Sequence, residues 1–297
     1  MCYFKLLKVI KFFRKKGYNF FLLLFFISIL PFFGRLFQEN KYQKPANELF
    51  VPELITLNSL DKLSNYADKL YAQKNIKGFD TAEYVHVFSR VVREKFYHGL
   101  SQYTISENWI AYLCGKLFWS HLSVIVVPDD ILKHHEGLCS QQTVVFMELL
   151  RQKKINVRWV GLGHEEGPGH FLCEAHYLGS WRLHDVTIEP QWKNVVGNHK
   201  SMDYYFHHKD SLYNVYKNRM NRAVFDKITE KVTYGKNNAF PGKNMFIFQK
   251  ATSLLTYIIP LVLLLISIRL YKTTRKEEDV SVITISQKQP EADCLAL

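Results

Sequence analysis

Two uncharged, strongly apolar runs near the ends of this 297-residue chain limit what it can fold into. The first begins at Tyr18 and stays uncharged through Phe33; with Gly34, Leu36 and Phe37 it extends to residues 18–37. At about 1.5 Å per residue that nearly covers a bilayer core of about 30 Å. The second, residues 251–268, is interrupted only by Pro260, which membrane helices tolerate better than soluble ones. A buried core helix is the other reading of each run, but two all-round apolar segments at opposite ends of one chain argue against it. Six basic residues precede the first run, and Arg269, Lys272, Arg275 and Lys276 follow the second. Positive flanks stay cytoplasmic, so both termini are expected inside and residues 41–250 on the outer face. Gly34-Arg35-Leu36-Phe37-Gln38-Glu39-Asn40 offers no small-x-small cleavage site, so a retained signal anchor is expected rather than a cleaved peptide.

The same division accounts for the charge. A formal +12 would suggest a nucleic-acid partner. Residues 1–40 carry seven Lys/Arg against Glu39 alone, and residues 269–297 carry five of each sign. Half the excess therefore belongs to a short cytoplasmic segment, and no nucleic-acid motif accompanies the rest. With 47% hydrophobic and 22% charged residues the chain is too apolar to be disordered. The expected organisation is a basic N-terminus (1–17), a transmembrane helix (18–37), an outer domain (41–250), a second transmembrane helix (251–268) and a cytoplasmic tail (269–297). Cys114, Cys139 and Cys173 fall outside, an odd number that leaves at least one thiol unpaired within the chain. The tail ends Cys294-Leu295-Ala296-Leu297, which has the form of a prenylation box, a pattern short enough to arise by chance.

Within the outer domain, apolar periodicity predicts helices near 57–73, 81–99 and 108–120, then one from about 139 to 151. Residues 157–162, 171–178 and 181–187 read as strands, the last two joined as a hairpin through Leu178-Gly179-Ser180. Helices followed by an antiparallel sheet make the expected class α+β.

Cys139 stands at the start of the last of those helices, where partial positive charge and unpaired N–H groups stabilise a thiolate. A nucleophilic cysteine also needs a base and a group to orient it. His170 opens one hairpin strand and Asp185 ends the other. A register in which paired residue numbers sum to about 358 sets His170 opposite residue 188 and Asp185 opposite residue 173, close enough to permit a hydrogen bond. The alternative for Cys139 is a buried, inert thiol.

Gly137-x-Cys139, Phe146-x-x-Leu149-Leu150-Arg151, Ile155-x-x-Arg158-x-Val160-Gly161, His170 with Glu174, and Trp181-x-x-x-Asp185-x-Thr187 resemble the core of the transglutaminase-like superfamily over residues 128–187. The resemblance implies a papain-like Cys-His-Asp fold with Cys139 as nucleophile, His170 as base and Asp185 as orienting acid, acting on peptide or protein amides through an acyl-enzyme. Leu172 and Val186 depart from the family's usual aromatic and proline. Water or an amine then resolves the acyl-enzyme, and the sequence leaves that choice and the oligomeric state open. Trp119, Trp159 and Trp181 are candidate walls of the substrate channel, and residues 164–169 read as a loop that gates the site. The twelve histidines show no metal-ligand spacing, so neither metal nor other cofactor is expected. A non-catalytic surface module that keeps the fold for binding is the alternative function.

Overall fold

A computed structural model describes residues 2–34, 48–163, 169–187, 200–218 and 220–286. The loop 164–168 and the C-terminal Cys294 motif lie outside them. In chain order the elements are α1 (Cys2–Phe33), α2 (Leu60–Ala72), α3 (Thr81–Lys95), β1 (Tyr97–His98), α4 (Trp109–Leu117), α5 (Pro128–Ile131), β2 (Glu136–Gly137), α6 (Cys139–Gln152), β3 (Asn156–Gly163), β4 (His170–Tyr177), β5 (Ser180–His184), α7 (Met202–His207), α8 (Lys209–Tyr216), α9 (Arg222–Ile228), β6 (Lys231–Tyr234) and α10 (Lys243–Ser286). They divide into two compact units, one of Met1–Glu39, Thr104–Leu113 and Ala251–Leu297, the other of Asn40–Tyr103 and Cys114–Lys250.

In the first unit α1 and α10 run antiparallel. The Tyr18 ring meets Tyr271 and the Phe32 ring meets Tyr257, each at 5.3 Å. The Ser267 hydroxyl donates to the Tyr18 carbonyl at 3.3 Å. Asn108, fully buried, donates from Nδ2 to Thr252 Oγ1 at 3.0 Å and accepts from Thr256 Oγ1 at 3.3 Å, so the start of α4 is pinned to α10. Leu23, Leu30, Leu254 and Leu261 are exposed on the outer faces of the helices.

The segment Lys243–Lys276 is long and apolar enough to cross a membrane, whereas the apolar part of α1, Gly17–Phe33, is shorter. At about 1.5 Å per residue it measures about 25 Å. The expected spans therefore meet the structure unequally: residues 251–268 form the middle of a longer helix, because the flanking Lys, Gln, Arg and Glu residues are good helix formers and carry it beyond the apolar run. The described part of the first run ends its helix at Phe33, just after Pro31.

The second unit is built around α6, whose Val145, Phe146, Met147, Leu149 and Leu150 are all fully buried. α2 and α3 pack on one side of it. Ser59 caps α2 through its Oγ, and Asp80 caps α3 by accepting from the Ala82 and Glu83 N–H groups, which fixes where both helices begin. α3 stops at Lys95, short of the expected Gly99, because Tyr97 and His98 leave the helix to pair in parallel with Glu136 and Gly137. On its other side α6 packs against a sheet of order β5-β4-β3-β6, antiparallel throughout. The far face of that sheet is covered by α7, α8 and α9: Val160, Leu162, Leu172 and Leu183 pack with Met202, Tyr205, Leu212, Tyr216 and Phe225. The architecture is the expected α+β, with β6 added from a short stretch that the sequence pattern does not single out.

Candidate active site

The β4–β5 hairpin closes through Leu178 and Gly179, both at positive φ, 51° and 74°. Such a two-residue turn matches the strands' right-handed twist. It sets paired numbers to sum to 357, as in Cys173↔His184 and Glu174↔Leu183, and not to 358. A one-residue slip moves every side chain to the opposite face. In the observed register His170, Leu172, Glu174 and Leu183 share one face, and Asp185, two residues beyond Leu183, joins them. His170 Nε2 and Asp185 Oδ2 stand 2.6 Å apart.

Asp185 is almost fully buried and holds further partners. Oδ1 accepts from the Thr187 N–H at 3.0 Å and Oδ2 accepts from the Tyr216 hydroxyl at 2.8 Å. Tyr216 ends α8 and packs into the core on the same sheet face. Its role was not readable in the sequence, because no local pattern ties a tyrosine thirty-one positions away to Asp185.

His170 is also hydrogen-bonded to the Cys139 side chain. Cys139 is the first residue of α6 and is partly exposed. Its thiol also takes a hydrogen bond from the Phe171 backbone. One turn along, Thr143 Oγ1 donates to the Phe171 carbonyl at 3.1 Å, so the helix start is stitched to β4 beside the thiol.

The helix start itself is held by Gln141, which is buried. Its Oε1 accepts from the N–H groups of Leu138 and Ser101, at 3.1 and 3.0 Å. Its Nε2 donates to the carbonyls of Ser101 and Ile125, both at 2.8 Å. All four hydrogen-bonding positions of the amide are thereby used. This clamp also went unseen in the sequence.

The electrostatics follow from this geometry. Burial disfavours the imidazolium, but the Asp185 charge and hydrogen bond, with the Cys139 thiol adding to them, outweigh it and raise His170 to about 10. Burial likewise disfavours the thiolate, yet the His170 hydrogen bond and charge and the Phe171 N–H hold Cys139 below the ordinary thiol value. Both shifts favour a thiolate–imidazolium pair at neutral pH.

No family model matches this chain, and no curated protein does. Two solved structures resemble it. One, described as a TGase, has a TM-score of 0.29 and 14% identity, covering 50% of this chain and 35% of its own. The other, a candidate cysteine protease from Cytophaga hutchinsonii, has a TM-score of 0.30 and 17% identity, covering 47% of this chain and 46% of its own. The chain thus spans less than half the length of either.

The three tryptophans fall in different places. The Trp159 ring stacks on Phe171 with centroids 5.7 Å apart; it is the Phe171 backbone that meets the thiol. The indole ring lies across Gly235, where a Cβ would meet Trp159 Nε1 at 2.2 Å, so only glycine lets the chain leave β6 over this ring. Trp181 pairs with His176, at the end of the hairpin away from His170. Six residues at about 3.3 Å each separate it from the site. There it packs on the Arg158 guanidinium at 4.6 Å. Trp119 is exposed at a corner after α4, its ring beside His121. Residue type alone carries no direction, and strand register sends Trp181 away from the site. Among the described residues no group of three or more His, Cys, Asp or Glu is arranged to hold a metal ion.

Proposed function

We propose that this chain is a membrane-anchored cysteine acyl-transfer enzyme of the transglutaminase-like class, acting on amide bonds of peptides or proteins. The observation that carries the reading is the chain of contacts Cys139–His170–Asp185, with the thiol partly open at a helix N-terminus and the other two groups buried behind it. The presence of all three residues argues against a non-catalytic module, which commonly loses one of them.

The chemistry follows from the roles. The Cys139 thiolate attacks the amide carbon, and backbone N–H groups at the start of α6 stabilise the oxyanion. The His170 imidazolium gives its proton to the leaving amine as the C–N bond breaks, which leaves a thioester and a neutral imidazole. An incoming water or amine loses its proton to His170 while its oxygen or nitrogen attacks the thioester, and the thiolate–imidazolium pair returns. Asp185 keeps the imidazole oriented throughout, as in other nucleophile–base–acid triads. The Tyr216 hydroxyl and Thr187 N–H hold that carboxylate in place. Trp159, stacked on Phe171, is the candidate wall of the substrate channel. In the same reading residues 18–37 and 251–268 are two spans with both termini cytoplasmic, and residues 41–250 stand outside the membrane.

The test is thiol labelling of the full chain followed by mass spectrometry. Cys139 is expected to react with iodoacetamide faster than Cys114, His170→Ala to slow it strongly, and glutamine-containing peptides to leave a thioester on Cys139 alone. Equal labelling rates, or thioester formation that persists in Cys139→Ala, would overturn the reading.

A further inference from the structure

Leu117, Phe118 and Trp119 are exposed to 71%, 79% and 56%, three consecutive large apolar side chains at one corner of the second unit. Contiguous exposed apolar surface marks a site of contact with protein or membrane. The corner has a defined backbone. The N–H groups of Phe118 and Trp119 both donate to the Cys114 carbonyl, at 3.0 and 3.3 Å, and Leu122 N–H donates to the Trp119 carbonyl at 2.9 Å, closing the 3₁₀ turn Ser120–Ser123. Gly115 meets Ser123 so closely that a Cβ would lie 2.6 Å from it. The three side chains are therefore presented outward by a closed turn.

What covers them follows from the next residues. Gln249 is fully buried; its Nε2 donates to the Val124 carbonyl at 2.6 Å and its Oε1 accepts from Val126 N–H at 2.9 Å. The extended segment leaving the corner is thus clamped to a helix position two residues before the uncharged run 251–268. Two residues of helix rise amount to about 3 Å. Lys243 and Lys250 on that helix and Lys116 beside the corner are exposed, cations suited to lipid phosphates. An indole, apolar in body with one N–H, favours the boundary between headgroups and acyl chains.

We propose that Leu117-Phe118-Trp119 is a membrane-docking corner that inserts into the interfacial layer of the outer leaflet, with Lys116, Lys243 and Lys250 at the lipid phosphates. The proposal rests on the reading of residues 251–268 as a membrane span and is independent of the chemistry at Cys139.

The full chain is reconstituted in vesicles of phosphatidylcholine and phosphatidylglycerol brominated at either shallow or deep acyl positions. The emission of the unaltered chain minus that of Trp119→Phe isolates Trp119. That difference is expected to be blue-shifted and to lose more intensity to the shallow than to the deep bromolipid. Phe118→Trp in the Trp119→Phe background is expected to restore it. Quenching by aqueous iodide in place of bromolipid, or shielding from both as when a protein covers the corner, overturns the proposal. Leu261→Trp separates the two readings. If deep bromolipid quenches it while Trp119 is untouched, the corner alone falls; if deep bromolipid fails to quench it, the span reading falls and takes the corner with it.

Discussion

The two ends of the β4–β5 hairpin each bury an ionic cluster on the same sheet face, and they differ in what is left open. At one end the Glu174 carboxylate is fully buried and filled. Its Oε2 accepts from Arg158 Nε and its Oε1 from Met202 N–H, both at 2.6 Å, while the guanidinium lies between the Trp181 and Tyr234 rings at 4.6 Å each. At the other end His170 and Asp185 are just as deeply set, but their chain of contacts terminates in a partly exposed thiol. The same strand, four residues apart, therefore makes a closed tie at one end and, at the other, a cluster that ends in an accessible thiol. Saturation of the polar groups separates the two, and burial does not.

Substitutions that break the comparison are ordered by expected effect. Cys139→Ala removes the open member and is expected to reduce amide turnover by about 10⁴-fold or more, read as initial rates on folded protein. Asp185→Asn is expected to cost about 10²- to 10⁴-fold. It also shifts the pH dependence of iodoacetamide labelling. The raised His170 value means that the stabilisation from its charged form is complete below its ordinary 6.5 and is lost as pH rises through about 10. Without the Asp185 charge that loss moves to lower pH, and an unmoved alkaline limb would contradict the assigned cause.

Arg158→Ala strikes the filled end. It leaves the Glu174 carboxylate buried without its partner, which costs about 3–5 kcal/mol in comparable pairs. Denaturant midpoints are expected to fall while Cys139 labelling per folded molecule stays the same. A drop in both would show that the two ends are not separable. Tyr216→Phe is the mildest: it removes one hydrogen bond to a charged group, about 1.5–3 kcal/mol by analogy. It is expected to move the alkaline limit of labelling far less than Asp185→Asn, because the Asp185 charge stays in place.

Much of the site was legible because helix periodicity and strand pattern are local. The apolar face of Val145, Phe146, Leu149 and Leu150 places Cys139 at a helix start, and the runs on either side of Gly179 place His170 and Asp185 on partner strands. The register was off by one because the turn puts a leucine at positive φ, where asparagine or aspartate would have signalled the two-residue turn. Taken strictly, a sum of 358 would turn Asp185 to the face opposite His170. Tyr216, Gln141 and Thr143 were not legible as members of the site, because each acts across a tertiary contact that no spacing encodes. Trp181 misled for a related reason: closeness in sequence to Asp185 places it on the same strand, and strand direction carries it to the filled end. Arg158 and Glu174 stood out in the motif, but their mutual pairing on the His170 face is a tertiary contact that the motif does not encode.

The Gln141 clamp makes the nucleophile a reporter on distant chain. Two of its four bonds go to Ser101 and one to Ile125, residues the sequence places well upstream of Cys139. A recombinant fragment starting after Ser101 would contain Cys139, His170 and Asp185 and still lack half of what holds the helix start. The rate at which Cys139 takes up an electrophile therefore doubles as a folding assay for the whole second unit.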